Sequence, residues 1–336
     1  MPVGKLPGEL LGRLIAAYAS SDPTVVVGPG IGGDAAAIDL GPTTLVVKSD
    51  PITFASESPA HYLVDVNAND LACLGATPRW MMVTALLPGG TTEDEVEAHF
   101  RELRDACVER SVVLVGGHTE VTSAVSRPIL VGVLIGEVRP DALLHPGGAR
   151  PGDVLLLTKA LALEGTALVA RELADPLGRI VDPEVVERAA SFLAVPGISV
   201  VPEAMALLDA GGVTALHDPT EGGLAMGVRE LALAAGCGAI VDRDAVPVLP
   251  ETATIAAALD LDPLGMLASG SLLVAADAES AERLISTAEG IGVRLTRIGE
   301  VTDGPGFILR EAGVERELPV YESDEIARAL AGRPSR

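Results

Sequence analysis

The sequence has few aromatic residues: Trp, Tyr and Phe together make up 2% of its 336 residues. Hydrophobic residues nevertheless account for 48% of the chain, so a sizeable core is available, and alanine, valine and leucine must fill it. At about 100–200 residues per domain, this length predicts two domains.

Basic residues are also scarce, since 24 Lys and Arg residues stand against 47 Asp and Glu residues and give a formal net charge of -23. Binding to nucleic acids or anionic membranes depends on Lys and Arg next to phosphate groups, so we expect neither partner. An acidic protein can still bind ATP, provided that Mg²⁺ lies between its carboxylates and the phosphates.

Cysteines and long apolar runs are rare as well. Cys73, Cys107 and Cys237 lie far apart and form no CxxC pair. This spacing is not typical of a disulfide framework or a zinc site, and it fits a reducing compartment. No apolar run approaches the roughly 18 residues of a membrane span. Because Glu9 and Arg13 interrupt any apolar stretch of a signal peptide, we expect a cytoplasmic protein.

Strand-like and helix-like segments follow one another irregularly, and strands are often adjacent, which favours an α+β fold over a doubly wound sheet. The apolar patterns predict strands at residues 24–33, 44–49, 80–87, 112–115, 129–138, 153–157, 270–275 and 294–302. Helical spacing predicts helices at residues 10–18, 61–75, 92–110, 185–193, 200–210, 224–235 and 280–290. The Gly/Pro-rich segment 146–151 predicts a domain boundary, with an N-terminal domain at 1–148 and a C-terminal domain at 149–336.

A glycine-rich segment, Gly28-Pro29-Gly30-Ile31-Gly32-Gly33, follows the first predicted strand and fits the G-x-G-x-x-G pattern. A dinucleotide-binding site would require a full helix directly after it, whereas Asp34 to Leu40 is too short for one. Four glycines in six residues lose much backbone entropy on ordering. The segment is therefore interpreted either as a loop whose N–H groups approach an anion closely or as a plain hairpin turn.

Asp70 is the aspartate whose surroundings are most informative. At about 100° per residue, Asn67 and Asp70 lie within or at the edge of an apolar arc, whereas Asp65 and Asn69 point away and are expected to be solvated. A buried carboxylate needs a partner or a metal to offset its desolvation. Asp70 is therefore predicted to be a ligand or metal residue, with a structural hydrogen bond as the alternative. Asp50 ends a predicted strand, where a carboxylate can also cap the next turn.

Two further polar segments lie next to predicted strands. Gly116-Gly117-His118-Thr119-Glu120 follows a strand and is interpreted either as a ligand loop or as a turn that faces water. In His217-Asp218-Pro219-Thr220-Glu221-Gly222-Gly223, the residues Asp218, Pro219 and Glu221 fit an N-cap, a first-turn proline and a capping box. The two glycines weaken a helix start by roughly 1 kcal/mol each, which indicates that something approaches the backbone closely.

Taken in chain order, these motifs resemble the superfamily of aminoimidazole ribonucleotide synthetase (PurM), thiamine-monophosphate kinase, selenophosphate synthetase and the hydrogenase maturation factor HypE. No single motif is diagnostic, but the ordered set is specific and covers nearly the whole chain. The wording of residues 158–167 and 217–225 is most similar to HypE-like proteins. The matching segments are residues 32–36, 48–50, 67–72, 75–79, 116–120, 149–153, 217–225 and 267–271.

This resemblance implies a two-domain PurM-like α+β fold whose N-terminal domain dimerises through its strands into a homodimer. It also implies that ATP and Mg²⁺ serve phosphoryl transfer to an oxygen of a small substrate or of a partner-borne group. By motif match, the metal ligands would be Asp34, Asp50, Asp70 and Asp218. The nucleotide-binding residues would be Gly30, Gly32, Gly33, Asn67, Gly116, Gly117 and Thr119, and the catalytic residues would be Lys48, His118 and Glu120.

Three hypotheses about function stay open. The first is an ATP-dependent HypE-like enzyme; HypE-type dehydration on its own terminal cysteine is not expected, since no cysteine follows Cys237. His118 and Glu120 also stand where HypE typically carries Asp and Lys. The second is a small-molecule kinase similar to thiamine-monophosphate kinase, which shares the wording of residues 75–79. The third is a non-catalytic nucleotide-binding maturation or scaffold protein.

Overall fold

The computed structural model describes residues 8–19, 22–30, 33–53, 59–321 and 323–331. The chain forms two compact units. The N-terminal unit comprises residues 20–29 and 34–143, and the C-terminal unit comprises residues 144–336 together with 1–19 and 30–33. Both units combine helices with a sheet, which confirms the predicted α+β class; the domain limit at residue 148 stays a prediction. Helix α1 (Gly8–Tyr18) opens the described chain.

In its described residues, the N-terminal unit is a six-stranded sheet with two helices on one face. The strand order is β1-β2-β3-β6-β4-β5, and β4 and β5 pair in parallel whereas the other neighbours are antiparallel. The elements are β1 (Val25–Val27), β2 (Ala36–Asp39), β3 (Thr44–Ile52), α2 (Pro59–Cys73), β4 (Thr77–Pro88), α3 (Glu93–Glu109), β5 (Val113–Thr122) and β6 (Ile129–Val138).

Helix α2 is enclosed on more than one side, because it packs on β3 and β6 and also against α3. The prediction that Asp65 and Asn69 face water is therefore wrong: both are buried. Arg110 donates to the two carboxylate oxygens of Asp65 at 2.5 and 3.0 Å. Burial raises the pKa of Asp65, and the Arg110 guanidinium opposes that rise.

Two glycines of β6 set the depth at which α2 packs on the sheet. A Cβ atom at Gly136 would lie 2.6 Å from the carbonyl oxygen of Thr77 and 2.8 Å from a methyl group of Leu71. A Cβ atom at Gly132 would lie 3.1 Å from the side-chain nitrogen of Asn67. These distances are shorter than ordinary van der Waals contacts, and the one to the Thr77 backbone cannot be relieved by moving a side chain, so position 136 requires glycine.

Two strands are longer than predicted, and the difference places site residues inside the sheet. The ladder with β6 carries β3 on to Ile52, so Asp50 lies within a strand rather than at its end. Parallel pairing with β4 likewise carries β5 through residues 116–120. The prediction of a loop or turn at residues 116–120 is wrong, because backbone pairing continues through the glycines and the polar residues.

The C-terminal unit has a seven-stranded sheet in the order β13-β12-β9-β11-β7-β10-β8, in which β9 and β12 pair in parallel. Strands β7 and β10 are buried along their whole length, so both faces of the sheet are covered. The core is built mainly from Ala, Val and Leu, as the scarcity of aromatic residues predicts. The strands are β7 (Val154–Thr158), β8 (Val213–His217), β9 (Gly238–Asp242), β10 (Leu273–Ala276), β11 (Leu295–Thr302), β12 (Phe307–Glu311) and β13 (Val314–Glu317).

The helices of this unit lie between and after these strands. They are α4 (Leu163–Glu172), α5 (Ala174–Leu177), α6 (Pro183–Ala190), α7 (Val201–Ala210), α8 (Gly223–Ala234), α9 (Pro250–Leu259), α10 (Ala281–Gly290) and α11 (Glu325–Ala331). In the described part of the chain, one helical segment, Leu193–Ala210, has the length and hydropathy of a membrane span. It is interrupted, since a π-helical turn ends at Gly197 and α7 begins only at Val201. Ten α-helical residues measure about 15 Å, half of a bilayer core.

The close approach of the Thr77 backbone in β4 to Gly136 predicts that Gly136→Ala destabilises the N-terminal unit by about 1–3 kcal/mol, because the added methyl group meets backbone that cannot move aside. Urea unfolding followed by tryptophan fluorescence measures this, since the single tryptophan, Trp80, lies in β4 of the same unit. Gly89→Ala is the control, because nothing lies within 4 Å of a Cβ atom there. Equal midpoints for the two variants would show that the close packing is not needed.

Candidate functional site

A partly buried ion-pair cluster, formed by Lys48, Asp50 and Asp70, joins β3 to α2. The Lys48 Nζ atom lies 2.9 Å from an Asp70 carboxylate oxygen and 3.1 Å from one of Asp50. The Asp70 side chain is 7% exposed and that of Asp50 is 33% exposed, so Asp70 forms the inner wall. Burial alone would lower the pKa of Lys48, but the two carboxylates outweigh burial and raise it. The Lys48 side chain therefore stays protonated and does not act as a proton acceptor.

Asn67 fixes the position of this cluster on the helix. It is fully buried, its side-chain oxygen accepts a hydrogen bond from the Asp50 backbone N–H at 3.1 Å, and its amide nitrogen donates to the Leu63 carbonyl oxygen at 2.8 Å. These bonds tie α2 to β3 beside Asp50. Since the side-chain amide is already bonded on both atoms, Asn67 positions its neighbours in this structure.

Asp34 lies at the same end of the sheet as the ion-pair cluster. Strand β2 pairs with β3 so that Ala36 faces Val47. Asp34 precedes Ala36 by two residues, so it lies beyond the end of β2 at which β3 continues to Lys48 and Asp50. Three of the four predicted metal ligands thus belong to one end of the β2–β3 ladder, next to α2.

The glycine-rich segment is described in part. The Gly33 N–H donates to the Gly30 carbonyl oxygen at 3.4 Å. Gly32, also predicted to bind nucleotide, lies outside the described residues. Strand β2 rather than a helix follows the segment, which agrees with the exclusion of a dinucleotide-binding fold.

A cavity of about 360 Å³ opens between α3 and the strands β4 and β5. This volume falls within the range of about 300–1,000 Å³ that small-molecule sites occupy. Position 117 must be glycine because of the neighbouring strand β4: a Cβ atom there would lie 1.9 Å from the Val83 carbonyl oxygen. A Cβ atom at Gly116 would instead meet nothing within 4 Å. The cavity is lined by Val83, Ala85, Phe100, Leu103 and residues 114–119.

His118 and Glu120 lie two residues apart on β5, the edge strand, so their side chains point to the same side. The His118 Nε2 atom is 3.2 Å from a Glu120 carboxylate oxygen, with the two side chains 64% and 49% exposed. An ion pair this exposed contributes little energy. The structure brings the two residues together, and their catalytic role stays a prediction.

In the C-terminal unit, Asp218 is buried in the loop between β8 and α8. The prediction that it caps the helix is wrong, because α8 begins at Gly223 and Gly222 is its N-cap. The close approach inferred from the two glycines is made by the chain itself. A Cβ atom at Gly223 would lie 2.4 Å from the Leu264 carbonyl oxygen, and the Gly222 N–H donates to an Asp324 carboxylate oxygen at 2.8 Å.

Glu164, in the first turn of α4, is a buried acid that the sequence reasoning did not single out. Its side chain hydrogen-bonds to Ser269, and burial together with the nearby Glu221, Asp324 and Asp218 raises its pKa to about 8. Burial also raises the pKa of Asp324 to about 6, against the effect of three backbone N–H bonds. One sequence feature could have indicated that Glu164 is buried: it directly follows an apolar run, Ala160 to Leu163. No local sequence feature indicated the burial of Asp324, because its hydrogen-bond partner Gly222 is 102 residues away.

The environment of Glu164 predicts a pH dependence of stability. Between its ordinary value of 4.5 and about 8, the folded protein holds a proton on Glu164 that the unfolded chain has lost. Stability therefore falls as pH rises through this window, by on the order of 4 kcal/mol. Glu164→Gln lacks this proton equilibrium, so its free energy of unfolding should overtake that of the wild type as pH rises. Urea titrations followed by circular dichroism at pH 5 to 8 measure the difference, and parallel pH profiles would contradict it.

Both units of the chain match domains of a known protein family. Residues 32–138 match AIR synthase related protein, N-terminal domain, and residues 150–311 match AIR synthase related protein, C-terminal domain. The carbamoyl dehydratase HypE of Escherichia coli (strain K12) is 28% identical over 317 residues, which are 88% of this chain and 89% of that protein. The hydrogenase expression/formation protein HupE of Azotobacter chroococcum mcd 1 is 30% identical over 264 residues, which are 76% of this chain and 73% of that protein.

Solved structures share the fold of the two units. A hydrogenase maturation protein HypE in complex with ATP has a TM-score of 0.71 at 26% identity, over 94% of this chain and 96% of that one. A HypE–HypF complex gives 0.76 at 20% identity, over 94% and 100%. A ThiL protein complexed with AMPPCP and TMP gives 0.71 at 18% identity, over 95% and 98%. The last two likenesses support the fold alone, and together these matches confirm the predicted two-domain architecture.

Proposed function

This chain belongs to the AIR synthase-related family, and from this premise we propose that it is an ATP-dependent HypE-like enzyme that phosphorylates an oxygen of a small substrate or of a partner-borne group. The observation that carries the proposal is the ion-pair cluster, in which two carboxylates converge on one positive charge. A HypE protein of known structure is in complex with ATP, which supports ATP as the nucleotide that this chain binds.

The carboxylates of the ion-pair cluster fit Mg²⁺ in their chemistry. Asp50 and Asp70 offer hard oxygen ligands, which Mg²⁺ prefers, and they already hold a cation, the Lys48 ammonium group. Asp34, at the same end of the sheet, would add a third carboxylate, and the metal role of Asp218 stays a prediction from the resemblance. The metal would supply charge neutralisation at the phosphates. Lys48 then serves as a movable positive charge that leaves the carboxylates when the metal binds.

The cavity beside β5 suits the base of the nucleotide. Its walls are largely apolar, with Phe100 and Leu103 from α3 and Val83 and Ala85 from β4. Flat heterocycles bind in such clefts, and a few polar groups orient them. Gly116 leaves room there and Thr119 adds a hydroxyl group, which supports the nucleotide-binding role proposed for both residues.

The second face of the N-terminal sheet supports a homodimer. Helices α2 and α3 lie on the other face, whereas this face presents half-buried to exposed apolar side chains. Strand pairing aligns them in rows, so that Val47, Ile135 and Trp80 are neighbours, and Val133 lies beside Met82. A contiguous apolar face of this kind is typical of an interface. We also propose a cytoplasmic location, which the three buried cysteines outside any disulfide support.

Asp70→Asn and Asp50→Asn should each weaken Mg-ATP binding by about tenfold or more, because each removes one charged ligand of the metal. Isothermal titration calorimetry with Mg-ATP measures the Kd. The control is Asp141→Asn, since Asp141 is an exposed partner of Arg139 in the same unit. Wild-type Kd values in both site variants would show that the metal lies elsewhere.

An assay of ADP formation with candidate phosphoryl acceptors distinguishes the three hypotheses about function. An enzyme forms ADP with a suitable small molecule or partner protein, and mass spectrometry then shows which oxygen was phosphorylated. A phosphorylated product from thiamine phosphate or a similar alcohol would favour the small-molecule kinase. The ThiL protein of known structure has a fold similar to that of this chain. Mg-ATP binding without ADP formation across all acceptors would favour a scaffold protein.

The apolar sheet face predicts that Met82→Asp converts a dimer into a monomer. Met82 is 45% exposed in the single chain, and a buried unpaired carboxylate would oppose association. Light scattering after gel filtration measures the mass. Val108→Asp is the control, since Val108 is 70% exposed on α3, which packs on the opposite face. A wild-type monomer, or a Met82→Asp dimer, would contradict the proposed interface.

A further inference from the structure

Phe100 is an exposed aromatic residue on a charged stretch of helix α3. Its side chain is 48% exposed, whereas Phe192 and Phe307 are buried in the C-terminal unit. Next to it, Arg101 forms an exposed ion pair with Glu97. A single exposed apolar side chain needs no explanation, but this ring also lines the cavity between α3 and the strands β4 and β5. Phe100 is therefore available to a ligand in that cavity.

The strands form a nearly flat floor of this cavity. Val83 and Ala85 of β4 are buried on the face of the sheet that carries α2 and α3. Gly117 and Thr119 of β5 pair with these two residues in register, so they lie on the same face. Glycine adds no side chain to this floor, and alanine adds a single methyl group. A flat floor and an aromatic ring in one cavity suit a planar group such as a nucleobase.

The cavity offers few polar side chains for recognition of the polar groups of a base. The hydroxyl group of Thr119 lies on the side of α3, and a hydroxyl group can either donate or accept a hydrogen bond. The His118 side chain alternates to the other face of the sheet and lies 3.2 Å from Glu120. A site rejects a wrong ligand strongly only when it holds polar groups of the right one by specific hydrogen bonds. Stacking does not discriminate in this way, because every base has an aromatic face.

We propose that Phe100 is the specificity-determining residue of the nucleotide site: its ring stacks on the base, so that ATP and GTP bind alike. This inference rests on the proposed function, because it concerns the same site and widens the nucleotide from ATP to purine nucleoside triphosphates. The carboxylates and the metal hold the triphosphate, whereas the ring holds the base. The two contributions to binding are therefore separable with a ligand that lacks a base.

The test is calorimetric titration of the full chain with the Mg²⁺ complexes of ATP, GTP and tripolyphosphate. For the wild type, the Kd values of ATP and GTP should differ by less than about 100-fold. Phe100→Ala should weaken ATP and GTP at least about fivefold more than tripolyphosphate, the lower limit for the loss of one base–aromatic stack. Phe100→Tyr keeps the ring and should bind as the wild type does. Val108→Ala is the matched control, since Val108 is exposed on the same helix and does not line the cavity.

Phe100→Leu separates stacking from simple apolar contact, because leucine keeps apolar bulk but has no aromatic face. It should weaken ATP as Phe100→Ala does. The proposal is overturned if either variant binds ATP like Val108→Ala, if tripolyphosphate weakens as much as ATP, or if GTP binds the wild type 100-fold or more weakly than ATP. Circular dichroism melting confirms that each variant is folded; should Phe100→Ala not fold, Phe100→Leu decides.

The outcome is distinguishable from that of the proposed function. If Mg-ATP binds the wild type and the Phe100 variants alike, the stacking role fails while the ATP-dependent function stands. If Phe100→Ala weakens Mg-ATP and Asp70→Asn does not, the metal assignment fails while the stacking role stands. If the wild type binds neither Mg-ATP nor Mg-tripolyphosphate, the proposed function fails and the stacking role is overturned with it.

Discussion

The carboxylate of Asp70, buried in a helix that is enclosed on more than one side, is the constraint on which the N-terminal unit depends. A buried charge without a counter-charge would be strongly destabilising. Lys48 supplies that counter-charge from β3, at 2.9 Å. The glycines of β6 let α2 approach the sheet, and Asn67 ties it to the backbone of Asp50. Fold and site are therefore determined by the same contacts.

The carboxylates of the two units have different bonding partners. In the N-terminal unit, two carboxylates share one ammonium group. In the C-terminal unit, Asp324 uses backbone N–H groups, while Glu164 keeps a carboxylate oxygen without a bond. The acidic residues are thus not confined to the solvated surface, since several of them are buried inside the two units.

The sequence predicted the features that rest on local periodicity. The α+β class, most helices and the burial of Asp70 follow from apolar spacing, which is a property of neighbouring residues. Features that depend on packing between distant segments were missed. Asp65 is buried because α3 covers the far side of α2, and no helical projection contains that information.

Glycine pairs show the same limit. Gly222-Gly223 indicated close approach to the backbone, and Gly116-Gly117 was interpreted as part of a ligand loop or a turn, but in both pairs the chain itself requires glycine. Gly117 faces the Val83 carbonyl group, and Gly223 faces that of Leu264. Sequence alone cannot tell an approaching ligand from an approaching strand or loop, because both require the absence of a side chain.

We propose that Asp50 and Asp70 exchange the Lys48 ammonium group for a divalent metal when nucleotide binds. A crystal structure with ATP and Mn²⁺, with the ion located by its anomalous scattering, tests this most directly. Mn²⁺ should lie within about 2.0–2.3 Å of oxygens of both aspartates, with Lys48 no longer paired to them. An ion bound elsewhere, with both Lys48 ion pairs intact, would contradict it.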